Sequence, residues 1–253
     1  MNTVLITGAS SGYGRETAQY FLGRGWHVVA TMRTPRADIL PRSDRLRVLQ
    51  LDVTDPDSVA AAFAAAGPLD ALVNNAGIGL IGVYEGTPMS RVREIFETNT
   101  FGVMATTQAV LTQFRERGAG VVVNVTSSVV LGHMPLSAVY KASKMAVEGF
   151  TASLALELAE FGVRAKTVEP GTCLTTNFAA GATGDTNLSD SLDGLVPPAY
   201  VPFAKRTLDQ FLAQDLFTRE SDVAETVWRA VHDTTGQLRF PAGPDAVRLD
   251  QAR

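Results

Sequence analysis

The segment Thr7-Gly8-Ala9-Ser10-Ser11-Gly12-Tyr13-Gly14 carries the strongest fold signal of this 253-residue chain. It follows a first apolar run and opens a first helical stretch, so it forms a strand–loop–helix junction. Glycines let a backbone turn sharply and approach a pyrophosphate, and a helix N-terminus offers free N–H groups and a positive dipole end. A tight turn without a ligand is the alternative. We interpret the stretch as a phosphate cradle made of Gly8, Ser10, Ser11, Gly12, Tyr13 and Gly14.

Short Val/Ile/Leu-rich runs alternate with longer helical stretches, as in a buried parallel sheet. The predicted strands lie near 3–7, 27–32, 46–51, 70–74, 120–126, 163–168 and 238–240. The predicted helices lie near 12–24, 56–66, 88–117 (with a break), 138–161 and 221–233. Asp55-Pro56 and Thr87-Pro88 each place a capping side chain before a proline suited to the first turn. We expect a single α/β domain over 1–253, a Rossmann-like doubly wound parallel sheet of about seven strands with helices on both faces.

Composition excludes several classes of partner. Apolar residues make up 45 % and charged residues 19 % of the chain, which is typical of a globular protein. The net charge of −4 offers nucleic acid or anionic membrane no basic surface, and no apolar run approaches the roughly 18 residues of a membrane span. Cys173 is the single cysteine, no cleavable signal opens the chain, and the three histidines show no metal-ligand spacing. We expect a cytoplasmic protein without a metal.

Residues 172–218 break the strand–helix rhythm. Glycine, Asp and Asn residues mix with scattered apolar side chains there, and a long irregular segment in a compact domain is usually functional or mobile. We interpret the segment as a substrate lid containing one helix near 202–214; a surface insertion is the alternative.

The glycine spacing of the phosphate cradle, Gly-x₃-Gly-x-Gly, resembles the TGxxxGxG pattern of the short-chain dehydrogenase/reductase family. The resemblance covers about 1–175. Asp52-Val53 resembles the pair that holds the adenine ring, and Asn74-Asn75-Ala76-Gly77 resembles the NNAG motif that lines the cofactor. Either could be a strand-end turn, but ligands of such sheets bind at strand carboxyl ends. The cofactor residues implied here are Asp52, Val53, Asn74, Ala76 and Gly77.

The end of the second strand indicates the cofactor. Folds that prefer NAD usually place Asp or Glu there, whose carboxylate would repel a 2′-phosphate. No acid occurs before Asp38, whereas Thr31, Arg33 and Arg36 are available, and a guanidinium suits a phosphate. NADP(H) is therefore favoured and NAD(H) is possible; the arginines could also be solvated loop charges.

Tyr140-Lys141-Ala142-Ser143-Lys144 indicates the chemistry. Positions four apart share a helix face, so Tyr140 and Lys144 point the same way. A tyrosine has an ordinary pKa near 10, and a neighbouring ammonium is expected to lower it, which makes a better acid–base catalyst. The family resemblance gives Tyr140 the proton transfer and lets Lys144 serve both Tyr140 and the cofactor ribose.

Further site residues are implied by the same resemblance. Ser127 matches the serine that polarises the substrate carbonyl, with Ser128 as the alternative. Asn99 matches the asparagine that interrupts a helix and holds a relay water.

Pro170, Gly171 and Thr175 match the PG-x₃-T motif on the nicotinamide side, with Thr176 as the alternative. Glu169, directly before this motif, is interpreted as a solvated strand end.

These features predict an NADP(H)-dependent oxidoreductase that interconverts a ketone or aldehyde, expected to be hydrophobic, with its alcohol. A catalytically inactive cofactor sensor is the main alternative. An extended epimerase or dehydratase is disfavoured because its TG-x₂-G-x₂-G pattern is lacking. The resemblance also implies a homodimer or homotetramer that pairs through helices 100–117 and 138–161.

Overall fold

A parallel sheet organises the computed structural model, which describes residues 2–174 and 194–253. Within these residues the order of the seven strands is β3-β2-β1-β4-β5-β6-β7, with every neighbouring pair parallel. The strands are β1 Thr3–Ile6, β2 His27–Met32, β3 Leu46–Gln50, β4 Ala71–Asn74, β5 Gly120–Val125, β6 Val163–Pro170 and β7 Arg239–Ala242. The order reverses between β1 and β4, and such a switch point opens a crevice at the carboxyl ends of the strands. The predicted fold class is confirmed.

Helices cover both faces of this sheet. They are α1 Gly12–Gly23, α2 Pro56–Ala66, α3 Met89–Phe96, α4 Gly102–Arg117, α5 Ala138–Ala159, α6 Val201–Leu212, α7 Glu220–His232 and α8 Pro244–Gln251. A turn of π-helix at Glu97–Phe101 joins α3 to α4, so the predicted break within 88–117 is confirmed. Short 3₁₀ turns lie at Ala37–Ile39, Tyr84–Gly86, Ser128–Val130 and Pro198–Tyr200. The sequence reading missed α8.

Strand alternation divides the core into two layers, because successive side chains point to opposite faces of a sheet. Val4 and Ile6 pack with Phe21 and Val227, on the face covered by α1 and α7. Leu5 packs on the other face, in a layer completed by α2, α4 and α5; its largest buried members are Leu5, Leu69, Leu72 and Phe114. Buried apolar side chains cover both faces of the sheet, so its carboxyl edge is where polar groups remain available to a site.

The two predicted helix starts have different outcomes. The Asp55 side chain accepts the backbone N–H of Asp57 at 2.9 Å, so that cap is confirmed. The Thr87 cap is wrong: its hydroxyl donates to the Val83 carbonyl at 2.9 Å, and Pro88 is the N-cap residue of α3. The Thr87 hydroxyl binds the Val83 carbonyl, at the start of the preceding 3₁₀ turn, instead of the first backbone N–H groups of α3.

The described residues include neither a membrane-spanning helix nor a cluster of metal ligands. None of their helices has the length and apolar character needed to cross a bilayer. Their His, Cys, Asp and Glu side chains form no group of three or more able to hold a metal ion.

Candidate active site

The phosphate cradle is tied to the loop that follows β4. The Thr7 hydroxyl accepts the backbone N–H groups of Asn75 and Ala76, at 3.0 and 2.9 Å. The Asn75 side-chain amide donates in return to the carbonyls of Thr7 and Gly8, at 3.0 and 3.1 Å. Gly8 has φ +68°, and a Cβ there would stand 2.7 Å from the Ala76 Cα, so only glycine fits. The two loops that border the crevice are thus one rigid unit.

Gly14 has a packing role in this unit. A Cβ at Gly14 would lie 2.3 Å from the Gly8 carbonyl oxygen and 2.4 Å from the Asn75 amide nitrogen. The residue is absent from the cavity lining, although a cofactor contact was expected of it. It allows α1 to begin directly against the loop.

A cleft of about 760 Å³ opens at the carboxyl edge of the sheet. Most of the predicted cofactor residues line it: Gly8, Ser10, Ser11, Gly12, Tyr13, Arg33, Asp52, Val53, Ala76 and Gly77. Ser11, the N-cap residue of α1, makes no side-chain cap bond, so the first N–H groups of the helix face the cleft without a side-chain acceptor. A glycine-lined turn with free N–H groups fits the pyrophosphate of a dinucleotide.

Asp52 supplies a negative charge in this cleft. Hydrogen bonds from the backbone and side chain of Thr54, and secondarily the Arg33 charge, hold the pKa of Asp52 below its usual range. Asp52 is thus an anion that fits an acceptor role toward a nucleoside, and Arg33 stands beside it as a cation.

Two residues predicted beside Arg33 lie outside the cleft. Thr31 is fully buried and its hydroxyl donates to the Ile6 carbonyl at 3.0 Å. Its predicted cofactor contact is therefore wrong, because the side chain points into the sheet. Arg36 is exposed but is absent from the cleft lining, so Arg33 alone represents the predicted pair there.

Asn74 also differs from its prediction. It is 1 % exposed, and its amide donates to Thr107 Oγ1 and Asn124 Oδ1, each at 2.9 Å. Its carbonyl oxygen accepts from Thr106 Oγ1 at 2.7 Å. A side chain with all these partners inside the protein joins β4 to β5 and α4, and it does not line the cleft. Asn75, the second asparagine of the motif, lines the cleft in its place.

A second cavity, of about 320 Å³, adjoins the cleft at Tyr13, which lines both. Its polar floor contains Ser127 and Tyr140. Its walls are mainly apolar and include Leu80, Ile81, Val129, Met134, Leu136, Leu208, Phe211 and Leu212. The last three belong to α6, so the described end of the predicted lid covers this cavity.

Ser127 and Tyr140 form a hydrogen-bonded pair on that floor. A hydrogen bond from Ser127 lowers the pKa of Tyr140, but burial acts more strongly and raises that pKa above its ordinary value. We expected Lys144 to lower it. In the chain alone that direction is wrong, because the ammonium lies 5.9 Å from the ring centroid and desolvation of the phenolate dominates. The hydrogen bond favours Ser127 over Ser128 as the substrate-facing serine.

Lys144 is buried one helical turn beyond Tyr140 on α5. Its ammonium donates to the Val125 carbonyl at 3.0 Å. Burial lowers the pKa of Lys144 to about 8, and the negative charge of Glu148 opposes that shift. The side chain therefore changes its charge near physiological pH, which suits a proton relay.

The π-helical turn positions Asn99 beside this lysine. Its Oδ1 accepts the Ile78 N–H at 2.8 Å, and its Nδ2 donates to the Ile78 carbonyl at 2.9 Å and to Ser143 Oγ at 3.3 Å. A Cβ at Gly77 would lie 3.2 Å from Asn99 Oδ1 and 3.5 Å from Lys144 Nζ. The missing side chain of Gly77 leaves room where these groups converge.

Pro170 and Gly171 line the apolar cavity from the end of β6. A Cβ at Gly171 would lie 2.0 Å from Asp245 Oδ1 of α8, so this helix, missed from the sequence, sets the course of the turn. The alternatives Thr175 and Thr176 both lie outside the described residues.

Sequence reasoning missed several supporting residues. The Ser143 hydroxyl donates to the Tyr140 carbonyl at 2.7 Å and accepts a hydrogen bond from the Asn99 side-chain amide. Its position between Tyr140 and Lys144 in the sequence could have indicated this role. Glu148 follows Lys144 at helical spacing, which also signals proximity. Glu169 is wrong as a solvated strand end: it is fully buried against Glu148, because β7 and α5 cover the end of β6.

Comparison with known proteins agrees with this geometry. Residues 2–185 match the family model described as short chain dehydrogenase. The uncharacterized oxidoreductase YusZ of Bacillus subtilis is 35 % identical, covering 94 % of this chain and 88 % of its own. A short-chain dehydrogenase from Streptomyces avermitilis superposes with a TM-score of 0.83 at 31 % identity, over 99 % and 91 % of the two chains. The closed form of a serine dehydrogenase complexed with NADP⁺ has a TM-score of 0.75 at 26 % identity, over 94 % of each chain.

Proposed function

Because the chain belongs to the short-chain dehydrogenase family of oxidoreductases, we propose that it interconverts a hydrophobic ketone or aldehyde with its alcohol, using NADP(H). The observation that carries the proposal is the pair of hydrogen-bonded hydroxyls, Ser127 and Tyr140, in a mainly apolar cavity next to the cofactor cleft. A substrate with a polar oxygen next to an apolar body fits both this hydroxyl pair and the mainly apolar walls.

The proposed roles follow from the contacts. A nicotinamide cofactor, when bound, supplies or accepts the hydride. Ser127 and Tyr140 hold the substrate oxygen, and Tyr140 donates its proton to that oxygen during reduction. Lys144, with a pKa near 8, replaces the proton, and Asn99 fixes the backbone of Ile78 beside it. Oxidation reverses each transfer.

The raised pKa of Tyr140 is compatible with its proposed role as the acid in reduction. In reduction the tyrosine must begin as the neutral acid, and burial favours that form. A neutral phenol bound to Ser127 is ready to donate to an oxygen that gains negative charge, so the shift is compatible with the proposed step.

The preference for NADP(H) rests on Arg33. It lines the cleft directly after β2, where no carboxylate precedes it, and a guanidinium pairs well with a phosphate. The serine dehydrogenase of similar fold is complexed with NADP⁺. Asp52 lies in the same cleft, so a 2′-phosphate must be placed closer to Arg33 than to Asp52.

The inactive sensor is the competing function. It retains the cofactor cleft and needs neither a substrate cavity nor paired hydroxyls. The apolar cavity and the Ser127–Tyr140 hydrogen bond therefore disfavour the sensor, since cofactor binding alone requires neither of them.

A turnover assay separates the two functions. Purified protein is incubated with NADPH and a panel of aliphatic and aromatic ketones and aldehydes, and the reverse panel of alcohols is tested with NADP⁺. We expect turnover that increases with the apolar size of the carbonyl compound up to the limit of the 320 Å³ cavity. Tight NADPH binding without turnover of any compound would support the sensor.

A further inference from the structure

Two carboxyl groups lie buried directly behind the active site. Glu148 of α5 is 3 % exposed, and Glu169 of β6 is fully buried. Each adjoins catalytic machinery along the chain: Glu148 lies one turn beyond Lys144, and Glu169 directly precedes Pro170-Gly171. The proposed mechanism uses neither carboxyl group, and burial of two such groups is costly unless each is paired.

Hydrogen-bond donors satisfy only one of them. Glu148 accepts from Thr126 Oγ1 at 2.6 Å and from Arg239 Nε at 3.1 Å. Glu169 Oε1 accepts from Thr167 Oγ1 at 2.5 Å. Glu169 Oε2 is buried, and no donor within the described residues faces it. A carboxylate oxygen in that position is without compensation, whereas a protonated one becomes a donor itself.

Charge leads to the same conclusion. Among the residues that the structure describes, the charged groups that face Glu169 are Glu148 from α5 and Arg239 from β7. Lys166, on the same strand, points to the opposite face and pairs with Asp233 at 2.8 Å. One arginine, itself 42 % exposed, therefore faces two carboxyl groups. Burial and then the Glu148 charge raise the pKa of Glu169 to about 8, and a hydrogen bond between the two carboxyl groups adds to that shift.

We propose that Glu169 is held as a neutral carboxylic acid that donates its proton to the Glu148 carboxylate, and that the single charge left on Glu148 keeps Lys144 protonated. The pair is a positioning device. It touches neither the cofactor cleft nor the apolar cavity, and it acts through Lys144. This link to Lys144 rests on the proposed function, whereas the shared proton does not.

The wild-type protein tests the shared proton without any assay of activity. Infrared difference spectra collected from pH 6 to 10 should contain the carbonyl stretch of a buried carboxylic acid, which disappears as the pH rises through about 8. Glu169→Gln should lack that band, and Glu157→Gln, an exposed glutamate on the same helix, should keep it. A wild-type spectrum without the band at pH 6 would overturn the proposal.

Thermal unfolding gives a second measurement. The folded-state pKa of Glu169 is raised from 4.5 to about 8, so its proton is lost on unfolding between those values. Its contribution to stability is complete below about pH 4.5 and is lost as the pH rises toward 8. The Tm of wild type minus the Tm of Glu169→Gln should therefore fall steadily as the pH rises from 5 to 7.5. This window lies below the titration of Lys144. A constant difference contradicts the shared proton.

Glu148→Gln tests the action on Lys144. Removal of this one nearby negative charge should move the alkaline decline of kcat/KM for carbonyl reduction to lower pH by about one unit. A variant that loses activity uniformly at all pH values would show a merely structural role and refute the link. If the chain proves inactive altogether, the infrared and unfolding measurements still decide whether the proton is shared.

Discussion

The Tyr13 hydroxyl donates to the Gly171 carbonyl at 3.1 Å, joining two loops 158 residues apart. One loop belongs to the phosphate cradle and the other closes the apolar cavity, so this bond fixes the cofactor side of the site to the substrate side. Burial, with smaller contributions from neighbouring acidic groups, raises the pKa of Tyr13, which keeps the phenol neutral and able to donate.

Tyr13→Phe removes this bond and keeps the ring. A buried carbonyl that loses its donor costs on the order of 1–3 kcal/mol, so we expect a lower Tm and a higher KM for the carbonyl substrate. Tyr20→Phe is the matched control on α1, since its contacts with Arg24 and Trp228 involve only the ring. Equal kinetics in both variants would show that the Tyr13 bond has no part in the site.

Tyr140→Phe should lower kcat for reduction by at least about a hundredfold, because the proton donor is lost. NADPH binding, followed by fluorescence titration, should change little, since the ring still fills its place. A variant that keeps more than about a tenth of wild-type kcat would contradict the proposed acid–base role.

Lys144 should give reduction an alkaline limit. Its ammonium predominates below a pKa of about 8, so kcat/KM for reduction should be constant at lower pH and fall as the pH rises through that value. Lys144→Ala should impair both turnover and cofactor affinity. Lys144→Arg keeps the positive charge at all working pH values, so the decline near pH 8 should vanish from the profile whatever its absolute rate. An unchanged decline in Lys144→Arg would assign the titration to another group.

Arg33→Ala tests the cofactor preference. Loss of a charge-assisted hydrogen bond of about 1.5–3 kcal/mol should weaken NADPH binding by roughly ten- to over a hundredfold and NADH binding much less. Arg36→Ala is the control, because that side chain does not line the cleft. Wild-type protein that binds NADH as tightly as NADPH would overturn the preference, but not the proposed reduction of a carbonyl.

The helices expected to pair two copies also permit a test. Leu156 and Met145, both on α5, are 76 % and 45 % exposed. Phe101, at the start of the region 100–117, is 53 % exposed. We expect a dimer or tetramer by light scattering, and a smaller species for Leu156→Glu. Leu249→Glu, which changes an exposed leucine of α8, should leave the mass of the assembly unchanged. A monomeric wild type would contradict the expected assembly.

The seven strands, every helix except α8, the glycine cradle and the spacing of Ser127, Tyr140 and Lys144 could all be predicted from the sequence. These are local properties: periodicity sets the element, a glycine permits the turn, and helical spacing places two side chains on one face. Asp52, Val53 and Arg33 were also located correctly beside the cleft, since strand carboxyl ends meet at one edge of a sheet.

Which polar side chains line the cleft, by contrast, depends on packing between distant parts of the chain. Thr31 and Asn74 sit at strand ends as a ligand-binding residue would, yet neighbouring strands and α4 supply their partners. Glu169 ends a strand in the same way and becomes buried because β7 and α5 close over it. The pKa values of Tyr140 and Glu169 follow from that burial, which depends on contacts between residues far apart in the chain and so has no local signature.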